Sequence, residues 1–269
     1  MEQRLPRLRE ILGSLRPAVV AFSGGVDSTF LLLAAHQVLG RDVTAITAVS
    51  PSLAAIERDE AVALARHIGV SHRLVETHEM EEEGYRRNDG QRCYFCKREL
   101  FRVLGALHSG GGHTLLYGAI PDDLGDDRPG MMAAAEAGVR APLLEAGLTK
   151  DMIRDLARQA GLPNWDKPAM PCLASRFPRM TPVTTEALGQ VERAEASLRA
   201  LGYRQVRVRF HGDTAKVEIG AEDLHRALSE PFRTPLVEAV RGAGFTEAIV
   251  DPLGYRSAVS IGKGPAQPT

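Results

Sequence analysis

Cysteine and tryptophan are scarce in this 269-residue chain, three and one respectively, and neither sign of charge dominates: 33 basic residues face 34 acidic ones, for a net charge of -1. The balanced charge excludes a global electrostatic drive toward nucleic acid or an acidic membrane surface, which leaves a small molecule as the default partner. No stretch approaches the roughly 20 apolar residues of a membrane span, and the opening MEQRLPRLREILGSLRPAVVAF holds no apolar run of signal length. A cytoplasmic protein is therefore expected. Three cysteines in such a chain argue against a disulfide framework and toward metal binding or catalysis at Cys93, Cys96 and Cys172. Lysine is absent from residues 1–96, so no phosphate-binding lysine lies in the first third of the chain.

What is present is a run of alternating strand and helix patterns. A short amphipathic helix is expected over residues 5–15, then a buried strand at 18–22 and a helix at 26–39. Residues 43–49 read as a second strand, 53–68 as its helix and 72–77 as a third strand. A charged loop or frayed helix follows, then helical periodicity over 93–107 and a fourth strand at 114–118. AIPDDLGDDRPG (119–130) is too rich in Asp, Gly and Pro to promise regular structure, and it follows a strand end, where parallel sheets place ligands. Residues 149–160 form a signalled helix with Thr149 as N-cap, Asp151 in its first turn and Gly161 as its stop. The pattern predicts an α/β fold, a parallel sheet with helices on both faces.

Beyond the Pro-rich stretch 163–182 the pattern changes. A helix at 184–201 is followed by strands at 205–210, 215–220 and 247–252, the first two a hairpin. The expected division is an α/β domain over 1–170, a small α+β domain over 171–262 and a disordered tail over 263–269.

The turn SGGVDS (23–28) lies between a buried strand and a helix, so its backbone N–H groups and the helix N-terminus form an anion site. It lacks the Gly-x-x-x-x-Gly-Lys-Ser/Thr pattern of kinase-type phosphate loops, which argues against γ-phosphoryl transfer. The stretch resembles the PP-loop ATP pyrophosphatases. That resemblance implies a Rossmann-like domain in which Ser23, Gly24, Gly25, Asp27 and Ser28 hold the β,γ-pyrophosphate of ATP. It also implies attack at the α-phosphate to give an adenylate, with Asp27 near Mg²⁺.

Further stretches narrow the resemblance: RCYFCK (92–97), DDLGDDRPG (122–130), GLTKDMIRDLA (147–157), PCLASRFP (171–178) and GYRS (254–257) are similar to the LarE family. Members are ATP-dependent sulfur transferases that act on pyridinium-3,5-biscarboxylic acid mononucleotide to build the pincer ligand of a nickel cofactor. The resemblance implies homo-oligomers and two routes for sulfur. In one, Cys172 gives up its own sulfur and becomes dehydroalanine. In the other, Cys93, Cys96 and Cys172 hold a 4Fe-4S cluster whose open iron suits an exchangeable sulfide. Read by themselves, the cysteines also admit zinc, with His108 and His113 as distant candidate ligands, or a redox dithiol.

Arg207 and Arg209 fall on one face of a strand with His211, a plausible clamp for the substrate phosphate; a solvated charged face is the structural alternative. Ser175 and Arg176 would add donors beside Cys172. Asp122, Asp123, Asp126, Asp127 and Arg128 follow the fourth strand, where carboxylates position Mg²⁺ or orient basic groups. Three other classes remain open at this level: a tRNA-thiolating PP-loop enzyme, an ammonia-using amide-forming enzyme, and a nucleotide-binding protein without catalysis.

Overall fold

The computed structural model describes residues 3–108, 112–125 and 128–256. Asp126, Asp127, the side chains of His108 and Arg128, and the 263–269 tail lie outside the described residues. The chain divides into two compact units, Met1–Cys172 and Leu173–Thr269.

The first unit runs α1 (Arg4–Gly13), β1 (Ala18–Ala21), α2 (Val26–Leu39), β2 (Val43–Val49), α3 (Ala55–Ile68), β3 (Ser71–Glu76), α4 (Glu83–Arg86), α5 (Arg92–His108), β4 (Thr114–Tyr117), α6 (Arg128–Glu136), α7 (Pro142–Glu145) and α8 (Lys150–Gln159). Its four strands pair in parallel in the order β3-β2-β1-β4. Alternate residues of each strand serve opposite faces. Ala18, Val20, Val43, Ala45 and Leu116 pack under α1, α2, α3 and α8, whose contributions include Leu8, Leu31, Ala61 and Ile153. Val19, Ile46 and Leu115 turn the other way and meet Leu104 of α5. A strand buried on both faces must be apolar throughout, which is why AVVA shows no alternation.

The chain proceeds from β1 outward to β2 and β3, then returns to place β4 on the other side of β1. That reversal opens a crevice beyond the carboxyl ends of β1 and β4, the position at which parallel sheets bind ligands. Residues 119–130, expected to be irregular, instead form a 3-10 turn at Pro121–Gly125 and begin α6 at Arg128. Proline is compatible with the first helical turn because no intrahelical partner awaits its missing N–H.

The second unit contains α9 (Thr185–Ala200), β5 (Val206–His211), β6 (Thr214–Ile219), α10 (Ala221–Leu228), α11 (Arg233–Gly242) and β7 (Glu247–Val250). β5 and β6 form the expected antiparallel hairpin; β7 joins β6 in parallel, and α10 and α11 make the crossover. Thr184 caps α9, its side chain accepting from the Ala187 N–H at 3.1 Å. Leu188, Val191 and Leu198 of α9 are buried, as are Val208, Val217 and Leu236.

Candidate active site

The glycine turn spans the gap between β1 and α2. Gly24 has φ +73, a conformation open to glycine at little cost, and a Cβ there would stand 3.2 Å from the Cα of Ala61. Gly25 occupies the N-cap position of α2, so the first N–H groups of that helix carry no side-chain cap and remain free to receive an anion. Gly118 at the end of β4 lets the backbone pass close by: a Cβ there would be 3.0 Å from the Ser28 nitrogen. Inside the turn, Ser28 Oγ donates to the Gly25 carbonyl at 3.1 Å and lies 3.1 Å from Ser23 Oγ.

A cavity of about 360 Å³ opens at the turn. Its walls include Ser23, Gly25, Asp27 and Ser28, and also Glu79, Cys96, Lys97, Asp123 and Cys172. The structure thus brings two of the three cysteines to the phosphate turn. Cys93 is exposed, one helical turn before Cys96 on α5, and Cys172 is also exposed. Among the described residues no group of three or more His, Cys, Asp or Glu side chains is gathered to hold a metal ion. Burial pushes the Cys96 thiol up to about 12, and the neighbouring Cys172, Glu79 and Cys93 add to the shift against the pull of Lys97. The buried Tyr85 phenol is likewise raised, by burial first and then by Cys172.

Two charged residues of the site carry no signal in a reading of the turn. Lys150, the first residue of α8, places its Nζ 2.6 Å from Asp27 Oδ2, the pair being 29% and 23% exposed. Its backbone N–H donates to Asp122 Oδ2 at 3.2 Å. A lysine, absent from residues 1–96, thereby reaches the turn from a distant helix. Asp27 Oδ1 is buried with no hydrogen-bond partner among the described residues. Glu79, in an acidic run that reads as solvated, is 2% exposed and accepts from Ser50 Oγ and from Ser52 Oγ. Asp123 Oδ2 accepts from the Ile120 N–H at 3.0 Å, which orders the turn after β4.

In the second unit, Arg176 is 2% exposed and sets Nε and Nη2 on Glu195, at 2.9 and 3.1 Å. Glu195 also accepts from Arg199 and from the Val208 N–H. Arg176 Nη1 reaches Ser175 Oγ, and Ser175 gives its carbonyl to Arg209 Nη1 at 2.9 Å. Arg209 makes a two-point pair with Glu218, at 3.0 and 3.1 Å. Arg207 is 6% exposed, so it does not belong to a solvated face. Its guanidinium bonds Tyr255 Oη at 2.9 Å and lies over that ring, while Nε is buried without a partner among the described residues. Burial holds its pKa below the usual arginine range, and the Arg176 and Arg209 charges add to that shift.

Among the described residues no helix is long and apolar enough to cross a membrane. The asparagine synthase family matches residues 9–86, the stretch that carries the glycine turn. An uncharacterized protein of Synechocystis sp. is 44% identical over 258 residues, 96% of each chain. The pyridinium-3,5-bisthiocarboxylic acid mononucleotide synthase of Lactiplantibacillus plantarum is 37% identical over 248 residues, 91% of this chain and 89% of that one. An uncharacterized protein of Methanocaldococcus jannaschii is 24% identical over 240 residues, 89% of this chain and 90% of that one. Identity carried over nine-tenths of the length, on a parallel sheet with the glycine turn at its switch point, places the chain in the LarE family of ATP-using sulfurtransferases, within the PP-loop superfamily.

Proposed function

We propose that the protein adenylates a carboxylate of pyridinium-3,5-biscarboxylic acid mononucleotide and replaces its oxygen by sulfur, toward a nickel-pincer cofactor. The observation that carries this reading is one cavity lined by both the phosphate turn and Cys172. A carboxylate is a poor electrophile. Attack of its oxygen on the α-phosphorus expels pyrophosphate and leaves an acyl adenylate, whose AMP is a good leaving group. A sulfur nucleophile then attacks the carbonyl carbon, AMP departs, and a thiocarboxylate remains.

The chain's own groups fit these steps. Backbone N–H groups of Gly25 and Val26 receive the departing pyrophosphate, and Lys150 adds the cation that the turn lacks. The partnerless Oδ1 of Asp27 suits Mg²⁺, which would neutralise phosphate charge when bound. In the second unit, the buried Arg207 makes no ion pair with a carboxylate among the described residues and suits the substrate phosphate, with Arg209 and Ser175 beside it. Arg176, committed to Glu195, acts by holding the Ser175 loop.

For sulfur delivery we propose Cys93, Cys96 and Cys172 as ligands of a 4Fe-4S cluster. Such a group, when bound, supplies an exchangeable sulfide at its open iron. Three thiolates would leave one iron open, which suits that chemistry, and both Cys93 and Cys172 lie close enough to Cys96 to raise its pKa. A second reading is favoured by the fact that the three side chains are not gathered. Cys172 attacks the adenylate itself to form a thioester. Loss of its Cα proton and cleavage of its Cβ–S bond then give the thiocarboxylate and dehydroalanine. Family resemblance supports a cytoplasmic homo-oligomer for either route.

Anaerobic reconstitution with iron counting, then protein mass after turnover, tests both. The cluster reading expects about four irons per chain and an intact Cys172. Dehydroalanine at Cys172 with no iron uptake selects the second reading, and no pyrophosphate release with the pyridinium mononucleotide refutes both.

A further inference from the structure

Between α8 and Cys172 the chain runs LPNWDKPAMPC (162–172), a strap of turns with no helix or strand. Two of its side chains leave the strap to bind other elements. Asn164, 8% exposed, donates through Nδ2 to the Gly24 carbonyl and contacts Thr29 Oγ1, both at 3.0 Å. Thr29 is fully buried, and its Oγ1 donates to the Gly25 carbonyl at 2.8 Å. Three residues later, Lys167 pairs with Glu57 and Glu60 of α3, at 2.7 and 2.6 Å.

We infer that Asn164 is a positioning residue: it sets from behind the two peptide planes whose N–H groups receive pyrophosphate, and so ties the phosphate turn to the strap that ends at Cys172. The argument is geometric. A trans peptide is planar, with its C=O and N–H pointing in opposite directions. Fixing the Gly24 carbonyl toward Asn164 aims the Gly25 N–H the other way, where it makes only a long 3.4 Å contact with Ser23 Oγ, and both Ser23 and Gly25 line the cavity. The Gly25 carbonyl is held in turn by Thr29 Oγ1 and by the Thr29 N–H at 2.9 Å, which fixes the plane of the next peptide at the start of α2. A positive-φ glycine has no side chain to hold its peptide plane, so the hold must come from outside.

The choice of side chain supports a purpose beyond packing. Asn164 Oδ1 is buried with no partner among the described residues, which costs stability that a leucine there would not cost. The amide nitrogen offsets that cost, since one of its hydrogens goes to the Gly24 carbonyl and the other to Thr29 of α2, which itself holds the Gly25 carbonyl. Lys167 holds the strap against α3, the helix whose Ala61 lies against Gly24, so the stretch 164–167 is anchored at both ends beside the turn.

This inference rests on the turn holding pyrophosphate, and calorimetry with inorganic pyrophosphate on the full chain separates the two. Wild type that fails to bind pyrophosphate overturns the reading of the turn. Given wild-type binding, Asn164→Ala is expected to weaken it about 10-fold, the loss of one hydrogen bond's worth of alignment. Asn164→Asp supplies a readout that mere packing does not move. Ionised, its carboxylate cannot donate to the Gly24 carbonyl; protonated, it can. Affinity relative to wild type should therefore recover as pH falls through the carboxyl's range. Thr29→Val should weaken binding and Thr29→Ser restore it, which covers the case that Asn164 variants fold poorly. Peptide-mapped alkylation of Cys172 reads the tie itself: pyrophosphate should change the rate in wild type and leave it unchanged in Asn164→Ala. Wild-type affinity in Asn164→Ala, a pH-independent Asp variant, or a Cys172 rate blind to pyrophosphate in wild type overturns the inference.

Discussion

Replacing Lys150 by methionine keeps the stem and removes the charge. The ammonium lies 2.6 Å from Asp27 Oδ2, with both side chains less than a third exposed. At an effective dielectric near 20, unit charges about 4 Å apart between centres attract by about 4 kcal/mol. Desolvation and the ordering of a long side chain cancel most of that, leaving about 1–2 kcal/mol net. The variant should therefore melt roughly 2–8 °C lower. Its catalytic loss should be larger than its stability loss. A charge-assisted hydrogen bond to a phosphate oxygen contributes about 1.5–3 kcal/mol, so kcat/KM for ATP, read as pyrophosphate release, should fall about 10- to 150-fold. Lys150→Arg should recover part of the loss, because it restores charge with a different reach. Asp27, relieved of its counter-ion, should also need less Mg²⁺ for half-maximal rate. A methionine variant with a lowered melting temperature but wild-type kcat/KM would refute the reasoning: Lys150 would then only neutralise Asp27.

Arg207→Ala should raise KM for the mononucleotide strongly while leaving ATP binding nearly unchanged, measured by separate titrations of the two substrates; equal loss of both would indicate a folding defect. His72 gives a pH prediction. Burial lowers its pKa beneath the ordinary 6.5, with Nε2 2.9 Å from Thr47 Oγ1. Below 6.5 the unfolded chain takes up the proton first, so stability should fall as pH drops from 6.5 toward the folded value, and His72→Gln should flatten that slope in pH-dependent melting.

Legibility followed the range of the interaction. The strands 18–22 and 43–49 and the helix 26–39 were written in local apolar runs and a glycine break, and the structure places them within a residue or so. The helices α10 and α11 escaped notice because each is short and takes its order from packing on the small sheet. Residues 119–130 misled because Asp, Gly and Pro favour turns on average, whereas a 3-10 turn and a helix start use the same residues at their ends. Within the site, Ser23, Gly25, Asp27 and Ser28 were legible as one motif. Lys150, Glu79 and Asn164 were not, since each acquires its role only when the sheet brings distant segments together. Charge pattern was a poor guide to burial for either sign: Glu79 sits in an acidic run yet is buried, and Arg207 sits in an alternating strand yet is buried as well.

The need for such long-range assembly follows from the chemistry. An acyl adenylate in contact with water hydrolyses, and ATP is then lost for nothing. In the proposed reaction the group that activates the carboxylate and the group that brings sulfur must therefore meet in one cavity, although no short motif can carry both. A parallel sheet provides the solution at its switch point. The carboxyl end of β1 supplies the phosphate turn, α5 supplies Cys96 and Lys97, and the strap after α8 supplies Cys172, all to the walls of one cavity. Asn164 and Lys150 flank that strap's start and its preceding helix, and both reach back to the turn. The strap that ends at Cys172 and the helix that precedes it are thus each fastened to the glycine turn, one through Asn164 and the other through Lys150.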